Sequence, residues 1–366
     1  MSRSEPVAFT SESVCEGHPD KVCDYVADSI LDAYLAQDDR SRVACEALAK
    51  HDTVVVAGEI TSGASVDREA VTRAAIRDVG YADSTDVFCG DTVQVLQLVT
   101  EQAPEIARGV DAAEQGAGDQ GLIVGYATSE TNELMPVPIL LAHRITRQLA
   151  EDRKTGRTDW LRPDGKAQVT VTYENGMPVA VSHVLVSAQH LPDVTAVQIR
   201  DYVTGTLLPT ALGEWFAPTV RVLCNPAGSF IQGGPLVDCG LTGRKNIVDA
   251  YGGAAHHGGG ALSGKDPSKV DRSAAYFCRN VARQAVKSGL ASRVEVQVAY
   301  AIGVAEPVSL MVETFGTGDA RAVEQLVSGF DFRPAAMIER LGLLRPLYRR
   351  TTNYGHFGRP ELPWEE

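Results

Sequence analysis

Residues 258–271 read GGGALSGKDPSKVD, and the fold turns on how this run is read. Gly259, four intervening residues and Gly264-Lys265 almost complete a phosphate-binding P-loop, but Asp266 stands where that loop needs a Ser or Thr hydroxyl for Mg2+. A carboxylate at that point repels phosphate unless a cation intervenes. A P-loop also follows a buried strand, whereas the preceding YGGAAHHGGG (251–260) has no strand pattern. The run is a near miss and excludes a P-loop NTPase. Its parts still suit an anion. Gly258, Gly259 and Gly260 permit close backbone approach, and Lys265 and Lys269 flank a helix start whose dipole favours negative charge. Asp266 is expected to be the N-cap of that helix, with Pro267 at N1. The apolar face then runs through Val270, Ala274, Phe277, Val281 and Ala285, and Gly289 stops it.

Working outward, GLTGRKNIVD (240–249) sets Arg244 and Lys245 directly after a second glycine-rich turn, with Asp238 just upstream. SESVCEGHPDKVCD (11–24) puts His18, Asp20 and Lys21 at the start of another helix. Taken singly, each cluster reads as a capped turn with solvated lysines. Together, in a chain of net charge −13, four cations on two glycine-rich turns point to a polyanion such as a nucleoside triphosphate. Asp20 and Asp271 offer hard oxygen ligands for Mg2+, and His18 a hydrogen bond to an oxyanion. Should His18, Asp20, Asp271, Lys245, Lys265 and Lys269 converge, Mg2+ resolves the clash of carboxylate and phosphate; spacing along the chain leaves that to the fold. His256 and His257 read as loop residues, since adjacency is poor spacing for chelation, and His51, His143, His183, His190 and His356 show no ligand pattern.

The chain has 366 residues, of which 44% are hydrophobic and 22% charged, so two or three globular domains are expected. The acidic balance and 6% aromatic content argue against a nucleic-acid binder. The N-terminal stretch has no apolar core of signal-peptide length, and no run of about twenty apolar residues occurs, so no membrane span and a cytoplasmic location are expected. Seven cysteines without a C-x-x-C pair read as reduced packing residues. Helix and strand patterns alternate throughout, giving an α/β chain of α+β type. A first module (1–102) holds a helix from Pro19 to about Gln37, strands in TVVVAGEITS and TVQVLQLV, and a helix over 64–79 that Gly80 stops. The polar stretch 103–120 is expected to be a mobile gating connector. A central module (121–232) holds strand LIVGYAT, a helix over 136–153, a hairpin turning at Asn175-Gly176, a helix around 194–206 and strand TVRVLCN. Residues 233–366 form the third module, with the glycine- and lysine-rich motifs.

At EGHPDK, GAGDQG, GLTGRK, HGGGALSGKDPSKVDRSAAY and YAIGVAEP, from Phe9 to Trp364, the chain resembles the S-adenosylmethionine synthetase (methionine adenosyltransferase) family. The resemblance implies three modules related by pseudo-threefold symmetry, each a mixed sheet backed by helices. It also implies a homodimer or homotetramer with active sites between subunits. The implied reaction is attack of L-methionine sulfur on C5′ of ATP, followed by hydrolysis of tripolyphosphate to pyrophosphate and phosphate. By the same resemblance His18 contacts the leaving oxygen, and Lys166, Arg244, Lys245, Lys265 and Lys269 are the triphosphate cations. Asp20 and Asp271 are the Mg2+ ligands, and Glu46 lies near an activating K+. Glu59, Gln102 and Asp119 belong to the methionine side; Asp164, Asp238 and Phe230 contact adenosine, with Phe230 stacked on the base.

Two departures bear on specificity. Ser229 stands where the family usually has arginine before Phe230, and the pair His256-His257 stands where it usually has Arg-His. They open the alternative of a member with altered nucleotide or methionine-analogue specificity. A kinase or ATPase would need a complete Walker or kinase loop, which is absent, and a non-catalytic partner subunit should have lost the charged positions that this chain keeps.

Overall fold

The computed structural model describes residues 5–101 and 115–366. Gln102 and most of the expected gating segment lie outside the described residues. The first third of the chain forms β1 (Val7–Val14), α1 (Pro19–Leu35), β2 (Arg42–Lys50), β3 (Thr53–Thr61), α2 (Arg68–Val79) and β4 (Gln94–Thr100). α1 starts on Pro19, whose fixed φ suits a first helical position, and the His18 Nδ1 accepts the Asp20 N–H at 3.2 Å as its cap. α2 ends at Gly80, whose φ of 117° only glycine adopts freely.

The middle third supplies β5 (Gly121–Thr128), α3 (Val137–Lys154), β6 (Leu161–Glu174), β7 (Met177–His190), α4 (Ala196–Tyr202), α5 (Leu208–Leu212) and β8 (Arg221–Cys224). The β6–β7 turn has φ of 52° at Asn175 and 81° at Gly176, the pair of positive values that a type I′ hairpin requires. The last third supplies β9 (Gly240–Leu241), α6 (Asn246–Asp249), α7 (Val270–Lys287), β10 (Arg293–Tyr300), β11 (Ser309–Glu313), α8 (Ala320–Val327) and α9 (Pro334–Leu341).

The strands form three sheets backed by helices, in the orders β4-β3-β2-β9, β1-β6-β7-β8 and β11-β10-β5. Each sheet takes one strand from another part of the chain. β1 pairs with β6 of the middle third, β5 with β10 of the last third, and β9 with β2 of the first third. One continuous core lies under the first and third sheets, joining α1, α2 and α7; a second, around α3, α4 and α5, lies under the sheet of β1, β6 and β7.

In the first sheet, Val43, Cys45, Ala47 and Ala49 of β2 and Val54, Val56 and Ile60 of β3 face the core. The opposite face stays open. Register places Glu59 of β3 opposite both Ala44 of β2 and Thr100 of β4, and Ala44 in turn pairs with Lys265. Leu96 and Leu98 of β4 lie on this same face and are 50% and 67% exposed.

α7 begins later than the capping pattern predicts. It starts at Val270 with Lys269 as N-cap, and Asp266 does not cap it. The Asp266 carboxylate is drawn to the edge of β2, where it accepts the Val43 N–H at 2.7 Å; it also accepts the Ser268 N–H at 2.9 Å and the Lys269 ammonium at 2.5 Å. A local Asx turn plus a tertiary contact outcompetes the cap.

Candidate active site

The charged motifs assemble into two sets at different points along one edge of β2, the edge that β3 leaves free. In the first, Asp20 opens α1 and accepts the Leu241 N–H at 3.0 Å and the Lys245 ammonium at 2.5 Å, with Arg244 3.8 Å away. This docks GLTGRK onto the start of α1. Burial works to raise the Asp20 carboxyl, but Lys245 and the Leu241 N–H outweigh it and hold it below the usual carboxylate range. His18 is buried, and desolvation, reinforced by Lys245 and Lys166, pushes its imidazole down to about 3. It is therefore neutral at pH 7. Since Nδ1 accepts a main-chain N–H, the proton sits on Nε2 and is available to a ligand.

Lys166 and Asp238, both exposed, are within charge range of His18 and of Asp164. Asp164 is buried, and its carboxylate accepts the Gly165 and Gly234 N–H groups at 2.7 and 2.8 Å; burial nevertheless pushes it up to about 6. Gly17 has no room for a side chain: a Cβ there would lie 2.4 Å from Pro163, so EGHPDK and the Asp164 strand touch backbone to backbone. Phe230 is half-buried, with its N–H donated to His190 Nε2 at 3.0 Å and its carbonyl accepting the His190 N–H at 3.0 Å.

The second set surrounds Lys265, whose ammonium meets Asp271 at 2.5 Å at the start of α7. GAGDQG lies against it, for the Gly118 N–H is donated to the Ser268 carbonyl at 3.2 Å and Asp119 follows, exposed. Glu59 shares the sheet row of Ala44 and Lys265, and Glu46 is exposed further along β2. Lys269 turns inward to Asp266 and away from this set. Of the three glycines at 258–260, a Cβ at 258 would lie 1.5 Å from the Leu122 carbonyl and one at 260 would lie 2.3 Å from the Asp271 carboxylate, while 259 alone faces open space. Two of them are packing glycines.

The six residues whose convergence would make one metal–phosphate centre thus divide within the chain. His18, Asp20 and Lys245 stand together, Lys265 and Asp271 stand together, and among the described residues no ion pair joins the two sets. The reason is topological: both loops dock on α1 and β2, but on different turns of the helix.

Sequence reasoning missed three features. His190, assigned no role, holds the Phe230 loop as an acceptor on Nε2 and a donor from Nδ1 to the Leu191 carbonyl at 2.8 Å. His256 pairs with the buried Glu295, its Nδ1 2.8 Å from Oε1 and its main-chain N–H 3.0 Å from Oε2, so this departure bears on Glu295 and leaves the first set untouched. The third was legible in principle. Asp20, Asp24, Asp28 and Asp32 recur every fourth residue along α1, a spacing that aligns them on one helical stripe. Each accepts main-chain N–H groups from the last third of the chain: Leu241, Gly243, Gly264, and Tyr348 with Arg349.

Comparison with known proteins covers the whole chain. Three family models match in order: the S-adenosylmethionine synthetase N-terminal domain over residues 6–104, the central domain over 114–230 and the C-terminal domain over 232–366. A protein of Akkermansia muciniphila named S-adenosylmethionine synthase is 54% identical over 380 residues, covering 100% of this chain and 96% of its own. Another of that name, from Sorangium cellulosum, is 54% identical over 367 residues, covering 98% of this chain and 87% of its own. The chain belongs to the S-adenosylmethionine synthetase family.

Proposed function

We propose that this protein makes S-adenosylmethionine from ATP and L-methionine by attack of the methionine sulfur on C5′, and then hydrolyses the tripolyphosphate released. The reading is supported above all by the first set: an uncharged His18 with its Nε2 proton free, beside Lys245, Arg244 and Lys166. A thioether has no proton to lose, so the reaction needs no general base. It needs alignment of sulfur, carbon and oxygen and stabilisation of charge on the leaving oxygen. His18 donates a hydrogen bond to that oxygen. Arg244, Lys245, Lys166 and Lys265 hold the phosphates, and Asp164, Asp238 and Phe230 hold the nucleoside. Glu59, Gln102 and Asp119 bind methionine. Lys269, held by Asp266, acts on the loop more than on the phosphates.

Mg2+ fits the donor set present, because it favours one or two carboxylates completed by substrate phosphates, and Asp20 and Asp271 each stand ready beside a lysine. When bound it would neutralise phosphate charge that these carboxylates would otherwise repel. K+ is assigned near Glu46.

The protein acts as a homodimer or a pair of dimers in the cytoplasm. The open face of the first sheet, with Leu96 and Leu98 exposed beside Glu59 and Lys265, is the surface that packs on a second copy. Packing there sets the Lys265 set of one protomer against the His18 set of the other. No described helix is long and apolar enough to cross a membrane.

The test has two arms. Incubation with methionine, Mg2+, K+ and ATP, GTP, CTP or UTP separately should yield a sulfonium nucleoside with phosphate and pyrophosphate from ATP alone. ADP without a sulfonium product would overturn the reading in favour of phosphoryl transfer, and sulfonium products from several nucleotides would favour the altered-specificity alternative. Mixing the His18→Ala and Lys265→Ala proteins, each strongly impaired alone, should after subunit exchange raise activity to about one quarter of wild type, since random pairing rebuilds one site in half of the dimers. No recovery would place both sets in one protomer's site.

A further inference from the structure

We propose that the buried pair Asp28–Arg272 is a positioning device for Lys265, locking the peptide groups on both sides of that lysine so that its ammonium is aimed before substrate arrives. The proposal rests on reading Lys265 as a triphosphate cation. Both side chains are fully buried and joined by two parallel bonds, Nη1 to Oδ1 and Nη2 to Oδ2, each 2.6 Å. The same atoms reach the backbone around the lysine. Asp28 Oδ1 accepts the Gly264 N–H at 2.7 Å, and Arg272 Nη1 donates to the Lys265 carbonyl at 3.1 Å. The peptide between them is pressed against β2. Gly264 has a φ of 81°, its carbonyl accepts the Cys45 N–H at 2.9 Å, and a Cβ there would lie 1.8 Å from the Cys45 carbonyl.

Arg272 is itself fixed. Its Nε donates to the Tyr276 hydroxyl at 3.0 Å, Nη2 reaches Thr351 Oγ1 at 3.3 Å, and its guanidinium lies 4.2 Å from the centroid of the Tyr348 ring. A buried ion pair contributes little net stability compared with well-packed apolar residues of the same volume. What leucine or methionine at 28 and 272 could not do is satisfy and orient the Gly264 N–H and the Lys265 carbonyl together. The neighbouring turns of α1 repeat the device for the other set: Asp20 holds Leu241 and Asp24 holds Gly243, the residues just before Arg244 and Lys245. α1 is in this sense a ruler that registers both cation-bearing loops. Lys21, bonded to Asp24 at 2.9 Å and Asp249 at 2.5 Å, ties α6 to the same helix.

The test is a double-mutant cycle. Asp28→Asn with Arg272→Gln, which neutralises the pair together, is measured in the wild-type and in the Lys265→Ala background. With Lys265 present, kcat should fall roughly tenfold, the size expected when a charged hydrogen bond that orients the lysine is lost, while KM for ATP moves little. With Lys265 already alanine, the same substitutions should leave kcat nearly unchanged. Glu365→Gln is the control, because its carboxylate holds Arg279 and the Gly358 N–H and no cation of either set; it should lower the melting temperature without the kcat effect. Equal kcat losses in both backgrounds would reduce the pair to a scaffold and overturn the proposal. A Lys265→Ala protein with unaltered kcat would overturn the role of the lysine and the device with it. If the neutralised pair does not fold, Arg272→Lys read in the same two backgrounds decides between the same outcomes.

Discussion

At the residue scale, the unusual positions around the nucleotide side make concrete predictions. Ser229 is exposed immediately before Phe230, so an arginine there meets no packed neighbour. Ser229→Arg should lower KM for ATP several-fold with kcat little changed; initial-rate kinetics with varied ATP check this, and an unaltered KM would mean that other cations already saturate the site. His143 carries a second prediction. Burial, with Arg147, Lys21 and Arg359 nearby, pushes its imidazole down to about 3. The folded protein therefore keeps it neutral, whereas the unfolded chain takes up a proton below about 6.5. Stability from this group is full above that value and is lost as pH falls toward 3. His143→Gln should remove one proton from the linkage. The stability difference between wild type and variant should change by about 1.4 kcal/mol per pH unit between pH 6 and 4, as read by urea denaturation across pH.

At the scale of elements, the helices follow from local chemistry and their docking does not. α2 is capped by Asp67, whose carboxylate accepts the Ala70 N–H at 3.0 Å, and closed by Gly80. Asp67→Ala should cost about 1 kcal/mol in denaturant unfolding while catalysis is unaffected, because only an exposed cap is lost. α1 and α7 are different in kind. Their buried charges, Asp24, Asp28, Arg272 and Arg279, face partners that arrive from far along the chain, such as the Glu365 carboxylate 2.9 Å from Arg279. A pattern of apolar residues every third or fourth position reveals that these helices exist. The Asp stripe of α1 was equally visible as a spacing, yet its partners were not, since they are main-chain N–H groups that every loop carries.

At the scale of the whole molecule, the exposed apolar face of β4 carries the prediction about assembly. Leu98 is 67% exposed on the edge strand β4, and the neighbouring row of that sheet face holds Glu59 and Lys265. Leu98→Glu should yield a folded monomer by light scattering and circular dichroism, with activity lost in proportion to the dimer lost. A monomer that retained full activity would show that one protomer completes a site alone. The strand exchange that joins the thirds of the chain means that no segment can bury its sheet alone. β1 lies on the middle sheet, β5 on the last and β9 on the first.

What the amino-acid sequence determines by itself are properties of short range: the helix beginning at Pro19, the hairpin at Asn175-Gly176, the buried face of α7, and the clustering of glycine with lysine. Each depends on residues within a few positions of one another, where φ/ψ preference and side-chain period act directly. Only the tertiary structure decided that the cations fall into two sets, that Lys269 turns inward, that Asp266 leaves its helix to bind Val43, and that His256 serves Glu295. Those outcomes hang on partners brought by folding: Asp266 meets Val43 from more than a hundred residues away and carries its local partner Lys269 inward with it, and His256 meets Glu295 of strand β10. In a buried setting the partner that best satisfies a charge or a main-chain N–H prevails, whatever its distance along the chain.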